Sequence, residues 1–336
     1  MSIKHLTQLS LADGMVYNHP HLQELDDIIA LIDWLEIECE LRVISVKDTG
    51  NSAYPALIMF KILLLQIWYK LSDVQMEKQL ARDLMFRRFT ALSLDAPTPD
   101  HSTIWRFREK LVRHELLDPL LSNLNDQLVK KRIKIKQGSV AIIDATLIRA
   151  QFSQDDDASW ASKTNSKGKV ESTFGYKSHI NVDEDGFVNK SAFSTAAPHD
   201  SQVCEEIIVD GNTALYADCA FKSEKTDAML KARGIKNEIH VKGYRNKPLT
   251  EQQKQANRIR STIRNTVERV FGQTKRHCEL GVAKYKGLAR NALRTSLIYF
   301  IHNLKTARFV LQQSHPKSAW NVDLRVISPW FWLFQG

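Results

Sequence analysis

Five short apolar runs rich in β-branched residues fall between residues 139 and 241, and their spacing limits the fold more than any other feature. Ser139 to Ile148 reads SVAIIDATLI after a glycine, which suits a buried strand. Phe174 to Val182 and Phe187 to Ser194 flank Asp183-Glu184-Asp185-Gly186, which predicts a β-hairpin. Thr213 to Asp218 and Ile235 to Val241 are two further strands. Asp200 to Val209 and Glu224 to Ala232 carry helical signals, the second stopped by Gly234, and Thr250 opens a long helical stretch. The polar stretch 151–172, rich in Ser, Lys and Asp, predicts a loop. The order is β–β–β–α–β–α–β–α, an antiparallel start followed by βαβ units. A mixed five-stranded sheet with helices on its faces satisfies it.

The front of the chain has a different texture. Ile28, Ile29, Leu31, Ile32 and Leu35 recur at helical spacing, as do Leu57, Phe60, Leu64 and Ile67. Thr98-Pro99-Asp100 is a break, after which Ser102 or Asp100 can cap a helix running towards Arg113. Ile104, Phe107 and Leu111 form its apolar face, and Arg106, Arg108, Lys110 and Arg113 lie elsewhere on it. Helices ending in a basic one are the layout of a helix-turn-helix DNA reader, and equally of a plain helical packing domain. The expected division is a helical domain over 1–136, an α/β domain over 137–290, and a helix with an aromatic tail over 291–336.

Composition narrows the function. The four cysteines, Cys39, Cys204, Cys219 and Cys278, form no CxxC pair, which argues against a zinc ribbon or disulfide framework and fits a reducing cytosol. The first twenty residues lack the pattern of a signal peptide. Leu57 to Leu71 is interrupted by Lys61, Gln66 and Lys70 and reads as a core helix, so no membrane association is expected. No GxxxxGK[ST] loop and no GxSxG elbow is present, which predicts neither a nucleotide cofactor nor a serine nucleophile. Net charge is +9, and residues 231–290 alone hold 16 Lys and Arg against 4 Asp and Glu. Such an excess suits a polyanionic partner, although a solvated charged face would carry it too.

Three carboxylates stand out against this background. Asp144 lies inside the first apolar run, where a charge is costly unless it meets a cation or donors. Asp218 ends the fourth run. In the RNase H-like arrangement the first and fourth strands are neighbours, so both aspartates reach one sheet edge and repel unless a metal neutralises them. Glu268 lies on the long helix in Arg264-x3-Glu268-x6-Lys275, three residues within about 40° on one face. Ile259, Ile263, Val267, Val270 and Thr274 form a separate stripe. Alone, Arg264 and Glu268 would read as an i,i+4 pair on a wet helix. Asp155-Asp156-Asp157 reads as a solvated charge run, and the aromatic tail around Trp330 as core or a partner contact.

Ile143-Asp144-Ala145-Thr146, then Tyr216-Ala217-Asp218, then Arg264-x3-Glu268-x6-Lys275 resembles the DDE transposases of bacterial insertion sequences, with the insertion-sequence-five group the nearest in pattern. Phe174-Gly175-Tyr176-Lys177 and His199-Asp200-Ser201 resemble motifs these proteins carry between the aspartates, and Tyr54-Pro55-Ala56-Leu57 and Pro99-Asp100-His101-Ser102 resemble their helical front. The chain departs from some relatives at Ser261, where they have Tyr, and after Asp218, where many have Gly then an aromatic and here Ala220 and Phe221 follow Cys219. The resemblance implies two Mg2+ or Mn2+ ions per site, bridged by Asp144 and held by Asp218 and Glu268. It implies water cutting at the element's ends and the freed 3′-hydroxyl attacking target DNA. It further implies Arg264, Lys275, Arg106, Arg108 and Lys177 on DNA phosphates, and a homodimer acting on double-stranded DNA in the cytoplasm. A junction resolvase or an inactive DNA-binding descendant would share the carboxylates.

Overall fold

The computed structural model describes residues 19–45, 53–134, 140–164, 170–244 and 248–314. They fall into two compact units. One comprises residues up to Gln66, Leu71–Phe107 and the chain from Leu304. The other comprises Ile67–Lys70 and Arg108–Asn303.

The first unit is helical: α1 (Asp26–Leu31), α2 (Trp34–Leu41), α3 (Ala56–Trp68), α4 (Asp73–Arg82), α5 (Leu84–Thr90) and the front of α6 (His101–His114). Short polar signals set the boundaries. Ser72 and Gln75 form a reciprocal capping box on α4, and Asp83 caps α5 by accepting from Met85 and Phe86. Arg87 then binds the carbonyls of Leu80, Ser93, Leu94 and Ala96, satisfying the loop that leads to α6. Asp100 caps α6, accepting from the Thr103 amide at 2.6 Å and from the Ser102 hydroxyl at 3.0 Å. The core of this unit is α3, in which every residue from Ile58 to Leu65 is buried. Lys61 is among them, its ammonium 4.5 Å from the centre of the Trp34 ring and 5.6 Å from that of Phe89.

The second unit holds the sheet, with strands β1 (Val140–Arg149), β2 (Ser159–Thr164), β3 (Val170–Val182), β4 (Val188–Thr195), β5 (Ala214–Ala217) and β6 (Lys236–Ile239). β1 is central, antiparallel to β3 and parallel to β5, and β6 lies parallel outside β5. β4 pairs with the second half of β3, so β4-β3-β1-β5-β6 is the expected five-stranded RNase H-like order. The sheet has a sixth strand. Within the stretch expected to be a loop, β2 pairs with the first half of β3, and Trp160 packs on Phe174 with ring centres 5.4 Å apart. Trp160 and Ser162 are exposed and Ser159 and Ala161 only half-buried, so no buried apolar run marks it in the sequence.

Gly175 sits where β3 passes from β2 to β4. A Cβ there would lie 2.1 Å from the Ile148 carbonyl oxygen and 2.7 Å from the Ala150 nitrogen, so only glycine lets β1 and β3 approach this closely. The following residue, Tyr176, is buried and donates to Asp155 at 2.5 Å. Asp155 also accepts from the Gly287 amide, and Asp157 from the Leu288 amide at the start of the last helix. These two aspartates are therefore structural and the charge run is not simply solvated, because partners far along the chain reach it.

On one sheet face Ala141, Ile143, Leu215 and Ala217 pack against α8 (Cys204–Ile207), α9 (Glu224–Ala232) and the connecting turns. Across the other runs α10 (Glu251–Cys278), packed on β1 and β5. Its buried side chains are Arg264, Val267, Val270, Phe271, Thr274 and Cys278. Ile259, expected on the buried stripe, is 61% exposed because the front half of α10 runs clear of the sheet. α11 (Leu288–Ser314) follows, and its Tyr299 hydroxyl meets that of Ser178 at 2.7 Å in the core. The aromatic tail lies outside the described residues.

Candidate active site

The frame of the site is set by strand register. Val140, Ala141 and Ile142 stand opposite Ala214, Leu215 and Tyr216, and continuing that register by two residues sets Asp218 opposite Asp144. Side-chain alternation sends Ala141 and Ile143 into the core behind and turns Asp144 towards α10. The Asp144 carboxylate accepts from the Ala145 amide at 2.8 Å. Asp218 follows the last residue of β5 and caps a short 3-10 turn, Cys219–Phe221, accepting from the Cys219 amide at 2.6 Å.

Arg264 reaches Asp144 from α10, Nη2 to Oδ2 at 3.5 Å. It does not make the i,i+4 pair with Glu268 that spacing alone would allow. Glu268 lies exposed one turn further on and, among the described residues, has no ion pair. The three carboxylates nonetheless act on one another. Burial pushes the Asp144 carboxyl above the ordinary aspartate range, Arg264 and the Ala145 amide pull it back, and Asp218 and Glu268 push it up again. The Nε of Arg264 is buried without a hydrogen-bond partner, so its hold on Asp144 leaves one donor unmet.

Among the described residues no three His, Cys, Asp or Glu side chains are gathered closely enough to hold a metal ion as they stand. The donor chemistry suits a hard cation all the same, since three carboxylates within electrostatic reach offer oxygen ligands only. The positions also fit, with two on adjacent parallel strands and one on the helix packed across them. The nearest charge to Asp144 is Arg264, so a metal would take over a place now neutralised by a guanidinium.

Other expected site residues fall in varied places. Lys275 is exposed on α10, and Arg106 is exposed on α6. Arg108, expected to face DNA, is 2% exposed with its guanidinium 4.7 Å from the Tyr285 ring centre, so it is a packing residue. Lys177, also expected on phosphates, donates to Asp200 at 2.9 Å and to the Pro198 carbonyl at 2.8 Å, which commits its ammonium within the protein. Glu238 is held by Arg260 and Lys236, and Glu251 is exposed beside Lys254.

His240 carries no signal in the sequence. Its amide donates to the Ala217 carbonyl, and its ring lies near enough to feel both Asp218 and Arg264. Burial and the two arginines, Arg264 and Arg260, push it below the ordinary histidine range despite Asp218. The Cys219 thiol is pushed up by burial and by the neighbouring Asp218 carboxylate. Only position after a strand end could have marked either residue.

Among the described residues no helix is long and apolar enough to cross a membrane. Residues 15–110 match the family model described as a transposase domain (DUF772), and residues 135–304 match that of the transposase DDE domain. The second match spans the stretch that carries Asp144, Asp218 and Glu268. Domains of this family act on DNA and generally use divalent metal ions. The chain belongs to the DDE transposases of insertion elements.

Proposed function

We propose that this chain cuts the ends of an insertion element and joins the freed 3′ ends to target DNA, with Asp144, Asp218 and Glu268 as its metal-holding residues. The observation that supports this most is the shared register of Asp144 and Asp218 at one edge of two parallel strands, with Glu268 on the helix packed across them. Two Mg2+ or Mn2+ ions held there would activate the attacking oxygen and stabilise the leaving one.

The protein's own groups supply the rest. Burial pushes the Asp144 carboxyl up, so its charge is costly to leave uncompensated. Asp218 is held by its own turn and presents one oxygen away from the Cys219 amide. Glu268 is free to swing because nothing pairs with it among the described residues. When Asp144 gains another counter-charge, Arg264 can turn its donors, including the unmet Nε, to a phosphate oxygen beside the scissile bond. Lys275 lies on the same helix face and would contact the neighbouring phosphate. We assign the helical front, residues 1–136, to binding the element's terminal repeats, with Arg106 on the DNA side, and take two copies of the chain to act together on the paired ends.

The test is a Mg2+-dependent reaction on a duplex bearing the element's terminal repeat, with a second duplex as target. Nicking at the repeat boundary followed by joined product is the expected result. Nicking without joining would make the chain a nuclease of the same fold. Binding without nicking, in either metal, would leave it a DNA-binding protein.

A further inference from the structure

Behind the two aspartates, on the sheet face away from α10, lies a polar cluster that the chemistry above does not use. Lys177 and His179 project from β3 to Asp200, whose Oδ1 takes the Lys177 ammonium at 2.9 Å and meets His179 Nε2 at 3.2 Å. Burial works against the Asp200 charge, but its bonds to His179 and Lys177 outweigh that and hold the carboxyl below the ordinary aspartate range. An ionised Asp200 needs the His179 proton on Nε2. Nδ1, on the far side of the ring, has no hydrogen-bond partner, while His179 is 0% exposed.

An unmet polar atom this deep destabilises the fold. An apolar ring would fill the same space without that cost, as Phe221 does next to it. What the cluster touches suggests why the chain keeps it. Asp200 opens the short turn Asp200–Gln202, which packs against the turn Cys219–Phe221. The His179 ring meets the Phe221 ring edge-on at 6.4 Å between centres. That second turn is the one Asp218 caps, and the Phe221 amide donates back to the Asp218 carbonyl at 3.0 Å. On its other side, His179 stands opposite Ala145 in the β1–β3 register, one residue from Asp144.

We propose that Lys177, His179 and Asp200 form a positioning network, which fixes the Asp218 turn against β1 and so sets the spacing at which Asp144 and Asp218 share a divalent cation. The inference rests on the metal-holding role proposed for the two aspartates. None of the three need touch DNA or metal. Asp200 anchors one turn, His179 links it to the next through Phe221, and Lys177 keeps Asp200 charged and still. Groups that orient metal ligands without contacting the metal typically change its affinity ten- to a hundredfold when altered.

The experiment is a Mn2+ titration of the full-length chain without DNA, read by loss of the free Mn2+ electron paramagnetic resonance signal. A thermal melt and a DNA-end binding measurement run beside it. Asp200→Asn keeps the volume and removes the charge. It should raise the half-saturating Mn2+ concentration about tenfold while DNA-end affinity stays within about twofold. His179→Phe guards against simple misfolding. It removes the unmet nitrogen together with the Nε2 donor to Asp200, so its melting temperature should change little while Mn2+ uptake still weakens. Asp218→Asn marks the loss of a ligand itself. If both network variants take up Mn2+ as the parent does, whatever their melting temperatures, the cluster is packing and the inference is overturned. If the parent takes up no more Mn2+ than Asp218→Asn, the metal reading of the aspartates fails first and the network role falls with it.

Discussion

Each unit of this chain places a charge in the middle of an apolar element, Lys61 in one and Asp144 in the other, and the two are handled differently. Lys61 lies in the middle of α3, its ammonium enclosed by the rings of Trp34 and Phe89, and burial pulls its pKa down to about 8. Asp144 lies in the middle of β1, and burial pushes its carboxyl up. The lysine meets π-faces, with Glu38 acting only through space. The aspartate meets a guanidinium with an unmet donor and two further carboxylates, and its side chain keeps 21% of its surface open. A charge closed in by rings has completed its interactions. A charge among like charges, with access to solvent, has not, and that difference separates a packing solution from a working site.

The sharpest way to break this comparison is to neutralise both. Asp144→Asn should lower cleavage roughly ten-thousand-fold, as loss of a group acting in the transition state does. The same change should raise the melting temperature of the metal-free chain at neutral pH. The raised carboxyl makes ionisation unfavourable in the folded state, so the penalty exists above the ordinary aspartate value of 3.8 and disappears as pH falls below it. A melt that falls at pH 7 would mean the Arg264 pair outweighs burial.

Glu268→Gln comes next, with an expected loss of roughly a thousandfold in cleavage and an unchanged melt, since this side chain is exposed. Near-normal cutting would remove it from the site. Lys61→Met should leave cleavage intact and stabilise the chain at pH 7 by up to about 3 kcal/mol, less whatever the ring contacts contribute. A lysine whose folded pKa is lowered from 10.5 to about 8 carries its penalty in full below 8 and loses it as pH rises to 10.5. The advantage of the Met variant, followed by denaturant melts, should therefore shrink across that window. An advantage independent of pH would trace it to shape. The smallest effect is Arg106→Ala, which should reduce the slope of log DNA affinity against log salt by about one. A constant slope would move the DNA-reading surface elsewhere.

The sequence showed most of the frame and singled out the three carboxylates proposed for the site because both depend on local signals. Apolar runs broken by Gly and Asp mark strands, and a charge inside such a run stands out. What it hid depends on partners far along the chain. Arg108 looks like a surface cation until Tyr285 comes to lie against it. Asp155 looks solvated until Tyr176 and the Gly287 amide close on it. Lys177 looks available until Asp200 binds it. β2 escaped notice for a different reason, since an exposed polar strand lacks the burial that alternation reports. In α10 the helix itself was legible but not where along it the sheet begins, which is why Ile259 fell on the wrong side.

α10 has a further consequence. This 28-residue helix is moored at both ends. In front, a Thr250–Gln253 capping box holds its start, Asn257 bonds both backbone groups of Val241, and Arg260 grips Glu238. Behind, Glu279 closes it in a left-handed conformation, and Arg294 clasps the carbonyls of Cys278 and Glu279. Glu268 therefore has an angular phase as well as a place. One residue inserted between Val267 and Glu268 would turn the carboxylate by about 100° around the axis while every hydrogen bond of the helix could still form. The same turn would carry Val270, Phe271 and Cys278 off the sheet, so the packing that seats the helix also fixes the aim of its carboxylate.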